Sequence, residues 1–276
     1  MSIVVILASI VVAALLGFIR HPGWRTSLLL AASTLALFVL QPTLPIRGLD
    51  FYLPILTLAL TIGGWVITTP RESRLWKANW QGTLIPIVIV LLLALSRYLG
   101  FTTPLTASRP PQTTTVLVIL GGFSIFILIL AIFTKPVKTI LGVGFLVVLL
   151  LFVVLKVPAV SFQVSIFLRS LTGQALETAS SLDIRWLGYS YIAFRILHTI
   201  RDRQSGRLPP VSLVEYVVYV IFFPALSAGP IDRIERFTGD LRKIPQRTAE
   251  DWGVSWKRIV LGLFKKFVIA DGLSMM

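Results

Sequence analysis

The sequence predicts an all-α protein, a polytopic bundle of transmembrane helices with short interfacial or re-entrant helices attached. Three observations lead there. Hydrophobic residues fill 55% of the 276 positions and charged residues only 14%, whereas a soluble domain carries about a quarter charged residues. The apolar residues stand in long blocks, and about 20 in succession cross the hydrocarbon core as a helix. The weak, alternating ten-residue pattern of a membrane β-barrel is absent.

The first apolar run covers Ser2 to Ile19. No Lys or Arg precedes it, as a secretory signal would require, and the cations Arg20 and Arg25 follow it. It therefore reads as a retained first helix. Further helices are expected over 24–40, 51–69, 84–99, 115–133, 139–155, 186–200, 213–228 and 258–274, making nine. Tryptophans 24, 65, 76, 80, 186, 252 and 256 fall near helix ends, where amphipathic rings prefer the headgroup level. Pro and Gly punctuate the connections, as in His21-Pro22-Gly23 and Arg109-Pro110-Pro111. Composition divides the chain into 1–155, almost purely apolar helices and short loops, and 156–276, which carries most of the polar groups within apolar surroundings.

Loop charges give an orientation. The first connection has Arg20 and Arg25, the third Arg71, Arg74 and Lys77 against Glu72, the fifth Lys135 and Lys138, and the seventh Arg201, Arg203 and Arg207 against Asp202. The second and fourth are nearly neutral. Basic loops stay cytoplasmic, so the odd connections face the cytoplasm and the N-terminus lies outside. Residues 231–257 are also rich in Arg and Lys, which conflicts with a full crossing by 213–228. Non-helical backbone at membrane depth is tolerated where it is buried in protein or lines a cavity. The breaks at Pro224 and Gly229-Pro230 therefore leave two readings open: a re-entrant segment over 213–230, or an ordinary crossing.

Two stretches have an amphipathic pattern. Within 156–185, Val160, Val164, Phe167, Leu168 and Leu171 form one apolar stripe, with Gln163, Arg169 and Ser170 elsewhere. In 231–244, Ile231, Ile234, Phe237, Leu241 and Ile244 recur at three- and four-residue steps, opposite Asp232, Arg233, Glu235, Arg236, Arg242 and Lys243. Both read as helices in the headgroup plane, and packing of the second on the bundle is equally compatible.

The net charge of +14 does not point to nucleic acid, because the cations sit in short connections and form no basic surface interleaved with aromatics. The chain has no cysteine, which excludes disulfides, thiolate metal sites and a cysteine nucleophile within these residues. No metal site is expected.

The strongest site signal read from the residues lies in the seventh helix. Tyr191, Arg195, His198 and Asp202 are spaced by four, three and four, which puts them on one helical face. An Arg inside an apolar helix is costly unless it faces a cavity or a partner. Either the stripe lines a tunnel, or Arg195 and Asp202 serve the helix end by snorkelling and local pairing.

Three motifs follow in order: Gly188-Tyr189-Ser190-Tyr191 running to Asp202, Phe223-Pro224-Ala225-Leu226-Ser227-Ala228-Gly229-Pro230, and Gly262-Leu263-Phe264-Lys265-Lys266. Together they resemble the membrane-bound O-acyltransferase family, in its bacterial polysaccharide-acetylating branch. The first signature is kept at Gly188, Ser190, Phe194, Leu197, Asp202 and Gly206. It departs at Arg195, where the family has Gln, and at His198, where it has Ser. The second is matched through Ile231 and Arg233, and the third through Ile269, Ala270 and Asp271. The resemblance covers about residues 186–272.

The resemblance implies transfer of an acyl group, acetyl in that branch, from a cytoplasmic thioester to a hydroxyl on a cell-surface polysaccharide or partner protein. Acetyl-CoA or an acyl carrier protein thioester would be the donor, as a co-substrate and not a bound cofactor. A periplasmic acetyltransferase partner and a place in the bacterial inner membrane also follow from it. The family's catalytic histidine lies beyond the third motif, so the residues up to Met276 are expected to lack it and to be inactive alone. His198 is not that histidine. Supporting roles fall to Pro224, Gly229 and Pro230, which shape unwound backbone beside a tunnel. Arg233, Lys265 and Lys266 suit attraction of a phosphate-bearing donor or anchoring to anionic lipid. A secondary transporter and a non-catalytic membrane scaffold remain as alternatives. A transporter usually shows paired interrupted segments in two halves, and none is found.

Overall fold

The computed structural model describes residues 3–19, 21–99, 105–133, 137–226, 229, 232–243 and 248–273. The loop cations Arg20 and Lys135 and the site residue Pro230, with Ile231 and Ile244, lie outside the described residues. Those described form helices and turns without a strand. The helices are α1 Ile3–Phe18, α2 Pro22–Val39, α3 Leu49–Thr68, α4 Trp76–Leu95, α5 Thr113–Phe133, α6 Lys138–Lys156, α7 Pro158–Thr172, α8 Tyr189–Gln204, α9 Leu213–Val220, α10 Ile234–Arg242 and α11 Ala249–Phe264. Four stretches among them are long and apolar enough to cross a membrane: Leu49–Thr68, Lys77–Tyr98, Thr113–Phe133 and Lys138–Lys156. The chain separates into two compact units, Met1–Arg242 and Lys243–Met276.

In the first unit α3 is the central helix. It packs on α5, α8, α9 and α6 and is buried along most of its length. Its buried threonines are satisfied within the helix. Thr57, Thr61 and Thr68 donate to the carbonyls of Leu53, Thr57 and Gly64, which lets hydroxyls sit in an apolar interior at little cost. Gly64 admits the neighbouring helix, because a Cβ there would meet the Tyr216 hydroxyl at 2.9 Å; small residues at crossings bring membrane helices together. Asp50, in the first turn of α3, is buried and its carboxylate has no hydrogen-bond partner among the described residues. By contrast α5 and α6 present long apolar faces outward, with Val118, Ile125, Phe133, Val143 and Leu150 more than half exposed, as expected of helices whose solvent is lipid.

The short helix expected in 156–185 is α7, and the apolar stripe is split: Phe167 and Leu171 are exposed, Val160, Val164 and Leu168 are half-buried, and Ser161, Ser165 and Arg169 are buried. The inward polar face is fixed by a network. Arg169 Nε donates to Asp183 Oδ2 at 2.8 Å, Ser165 Oγ to the same oxygen at 2.6 Å and the Ser180 amide at 3.2 Å. Arg169 Nη1 reaches Thr178 Oγ1 at 2.8 Å. The network folds residues 173–185 back onto α7.

The described part of 213–230 is not one continuous helix, and the chain beyond it turns back along α9. Helix α9 has eight residues, roughly 12 Å long at 1.5 Å per residue, and is followed by a 3₁₀ turn at Phe223–Ala225. Helix α10 then packs back on α9 and α2. Its last residue, Arg242, bonds Glu215 Oε1 at 2.6 Å and the Pro210 carbonyl at 2.9 Å, so the chain returns to the end of the bundle it left. Arg25 donates to the Leu241 carbonyl at that same end. The apolar positions of α10 are covered by protein: Ile234 is buried, and Phe237 packs on Tyr219 and Phe222 with ring centroids 5.5 and 5.1 Å away.

Two helices start earlier than the apolar runs suggest. Helix α4 begins at Trp76, eight residues ahead, where Asn79 donates to the Ser73 and Leu75 carbonyls. Helix α11 begins at Ala249 behind a capping box, in which the Thr248 hydroxyl accepts from the Asp251 amide and the Asp251 carboxylate from the Thr248 amide. That Thr-x-x-Asp signal is legible in the sequence.

The buried Arg169–Asp183 pair yields a pH prediction. Burial works against the Asp183 carboxylate, but the hydrogen bonds from Arg169, Ser165 and the Ser180 amide outweigh it and hold the group below its ordinary range. Its folded pKa lies under the unfolded value of about 3.9. The stabilisation is therefore complete above that value and is lost as pH falls through the folded pKa. Amide exchange over 173–188 is expected to quicken at acid pH in the wild type. Asp183→Asn, which leaves Arg169 buried without its counter-ion, is expected to cost about 3 kcal/mol at neutral pH and to remove the acid dependence.

Candidate functional site

The first and second motifs meet where α8 runs past the break after α9. An unbroken helix would satisfy the Val220 carbonyl with the amide of residue 224, but Pro224 has no N–H. The 3₁₀ turn uses other bonds, from the Ala225 amide to the Phe222 carbonyl at 3.0 Å and the Leu226 amide to the Phe223 carbonyl at 3.4 Å. The Phe223 amide finds Ser33 Oγ of α2 at 3.2 Å. The orphaned Val220 carbonyl is taken by Arg195: Nη1 donates to it at 3.0 Å, and Nη2 donates to the Ala225 carbonyl at 3.4 Å. Arg195 is 3% exposed and its guanidinium lies 5.8 Å from the centre of the Tyr219 ring. Among the described residues no carboxylate pairs with it. The negative end of α9 and the ring face stand in for one.

A second contact joins the motifs. Gly188 caps α8 at φ 65°, a conformation that favours glycine, and a Cβ there would fall on the Leu226 carbonyl oxygen. The backbone of the first motif thus lies directly against that of the second. Trp186 Nε1 bonds Thr57 Oγ1 at 2.8 Å, Gln41 bridges the Arg185 carbonyl and the Leu187 amide, and the Tyr189 hydroxyl bonds the Val148 carbonyl at 2.8 Å. The start of α8 is therefore tied to α2, α3 and α6. On the far side Tyr219 donates to the Asp232 carbonyl at 2.9 Å, which holds the residues leading into α10.

The four-residue stripe of α8 divides. Arg195 is buried in the break, and Asp202, half-buried, lies within electrostatic reach of Tyr219. Tyr191 is half-buried and His198 exposed, and neither side chain makes a hydrogen bond within the described residues. Pro224 is exposed at the turn, Gly229 packs beside Ala225, and Arg233 is exposed with its amide on Asp232 Oδ1 at 2.9 Å. In the second unit the third motif closes α11 and passes into a π-helical turn at Lys265–Ala270, a deviation often met at functional sites. Lys265 and Lys266 are exposed there, and Lys266 Nζ lies 3.3 Å from Asp271 Oδ1.

Two cavities flank α8. One of about 370 Å³ adjoins its N-terminal end and is lined by Lys156, Arg185 and the Gly188-Tyr189-Ser190 motif among others. The other, of about 410 Å³, adjoins its C-terminal end between Arg203, Ser212, Glu215 and Arg242. Among the described residues no cluster of His, Cys, Asp or Glu could hold a metal ion. Reading the sequence by helical faces missed Ser33, Tyr219 and the Gly188–Leu226 approach. One signal for them was available: a proline four residues beyond an apolar helix orphans a carbonyl that something must satisfy.

Over about a third of its length the chain is similar to proteins named teichoic acid D-alanyltransferase. It is 31% identical to the one from Lacticaseibacillus rhamnosus over 86 residues, 36% to that of Streptococcus thermophilus over 90, and 33% to that of Bacillus subtilis over 94. The matches cover 30%, 32% and 33% of this chain but only 21%, 22% and 24% of those relatives. No family model and no solved structure matches.

Gly188→Ala is expected to destabilise the junction by about 1–3 kcal/mol through strain at positive φ, with a steric clash on the Leu226 carbonyl added to it. Thermal unfolding of the purified variant, compared with Gly206→Ala, where φ is 70° but nothing lies within contact, separates the two contributions.

Proposed function

We propose that this chain belongs to a membrane-embedded O-acyltransferase. The observation that carries the reading is the junction of the first two motifs, where Arg195 and Gly188 of one hold the broken helix of the other. The similarity to teichoic acid D-alanyltransferases supports the same class. In this proposal an acyl group passes from a cytoplasmic thioester, on coenzyme A or an acyl carrier protein, to a hydroxyl of a cell-envelope polymer or of a partner protein outside. The relatives are named for D-alanyl transfer, so the acyl group is an aminoacyl or a short acyl group, and acetyl is one candidate.

Loop charges support an N-terminus outside, and the family resemblance supports a place in the bacterial inner membrane. The cavity beside Arg203 and Arg242 then lies on the donor side and the cavity beside Gly188-Tyr189-Ser190 on the acceptor side. Residues 1–155 supply the helical surround and 156–276 the start of the catalytic core. The transfer needs a general base to take the hydroxyl proton. Tyr191, Asp202, Pro224 and Gly229 shape the route between the cavities, and a water-poor route protects the thioester from hydrolysis. Arg233, Lys265 and Lys266 draw the anionic donor toward the membrane surface.

The complete protein in vesicles, supplied with radiolabelled D-alanyl or acetyl thioester and a polyol phosphate acceptor, is expected to move label onto the acceptor. His198→Ala is expected to leave that rate close to wild type. Absence of transfer from both donors overturns the reading, and abolition of transfer by His198→Ala would move the chemistry onto α8.

A further inference from the structure

Away from the junction, a slot of about 380 Å³ lies between α3, α4 and α5. Its walls run from Ile55 to Val66 on α3, from Asn79 to Val90 on α4 and from Leu120 to Ala131 on α5. Each stretch spans eleven residue steps, roughly 16 Å at the rise of an α-helix. The slot is therefore long and parallel to the helices, and its walls are almost wholly apolar along that length.

One end is different. There α3 and α5 finish and α4 begins, and the connection between α3 and α4 carries Arg71, Arg74 and Lys77 against one acid, Glu72. Arg74 lines the slot itself. It donates to the Thr69 carbonyl at 2.9 and 2.7 Å and to the Ala131 carbonyl at 2.8 Å, which fixes a cation at the mouth between α3 and α5. Asn79 is held at the same mouth, accepting from the Leu213 amide at 2.8 Å. Lys77, in the first turn of α4, is exposed. The opposite end, at Ile55, Val90 and Leu120, is apolar.

An elongated apolar slot along the membrane normal with cations at one end matches the shape and charge of one ligand class. We propose that it is a binding site for an anionic phospholipid, with one acyl chain lying between α3, α4 and α5 and the phosphate at Arg74 and Lys77. Basic pockets between transmembrane helices at the basic face bind anionic headgroups in this way. The site is independent of the acyl-transfer reading, because no motif residue lines it.

The test uses the complete protein in neutral detergent with phosphatidylglycerol or phosphatidylcholine carrying a photoreactive group on the acyl chain. Phosphatidylglycerol is expected to be held more tightly, by roughly fivefold for each cation engaged, and to crosslink to α3, α4 and α5. Lys77→Gln, at an exposed position, is expected to reduce the preference by about that factor without altering the thermal unfolding temperature. Ser124→Trp, which fills the slot from α5, is expected to abolish the crosslinks. Equal retention of the two lipids overturns the proposal. So does labelling that survives Ser124→Trp, or a photoreactive residue at position 59 that crosslinks to another stretch of the protein instead of to lipid.

Discussion

A proline in a buried helix leaves a carbonyl without its amide, and in an apolar interior that carbonyl must be answered by another donor. Here Pro224 removes the donor to Val220, and Arg195 supplies one from the neighbouring helix. The exchange has consequences along the chain. Helix α9 ends after eight residues, the backbone turns at Phe223–Ala225, and α10 returns to the end where α9 began. The cost of burying a guanidinium is offset by two carbonyls, a helix C-terminus and an aromatic face, with no acidic partner among the described residues. The position filled by Gln in the resembled signature is filled here by a longer side chain that reaches two carbonyls at once.

Arg25 of α2, Arg74 of the α3–α4 connection and Arg242 of α10 are separated by many residues, yet the structure gathers them at one end of the first unit: Arg25 on the Leu241 carbonyl, Arg242 on Glu215 and Pro210, and Asn79, next to the Arg74 connection, on the Leu213 amide.

Much of this was legible in the sequence. Hydrophobic block length located the bundle, and the three- and four-residue steps of Ile234, Phe237 and Leu241 located α10. The break at Pro224 was visible as a break. What one-dimensional reading did not supply was the environment of a face. Tyr191, Arg195, His198 and Asp202 share one side of α8 by spacing, but the neighbouring chain covers Arg195 and leaves His198 open. On α7 the apolar stripe was evident, while the inward burial of Ser165 and Arg169 depended on Asp183, which arrives from a loop. Such pairings are set by tertiary packing and not by local periodicity. The early start of α11 was missed for a different reason: its capping box is a local signal, outweighed by the weight given to apolar length.

The central claim is that Arg195 substitutes for the missing amide of residue 224. A double-mutant cycle with Arg195→Leu and Pro224→Ala, read from the unfolding free energy of the purified protein in one detergent, tests it most directly. Arg195→Leu alone orphans two buried carbonyls and is expected to cost about 1–3 kcal/mol. With Pro224→Ala the amide is restored, α9 can extend, and the Val220 carbonyl regains a partner. The cost of Arg195→Leu is then expected to fall by about 1 kcal/mol or more in that background. Additivity of the two substitutions, to within about 0.3 kcal/mol, would contradict it.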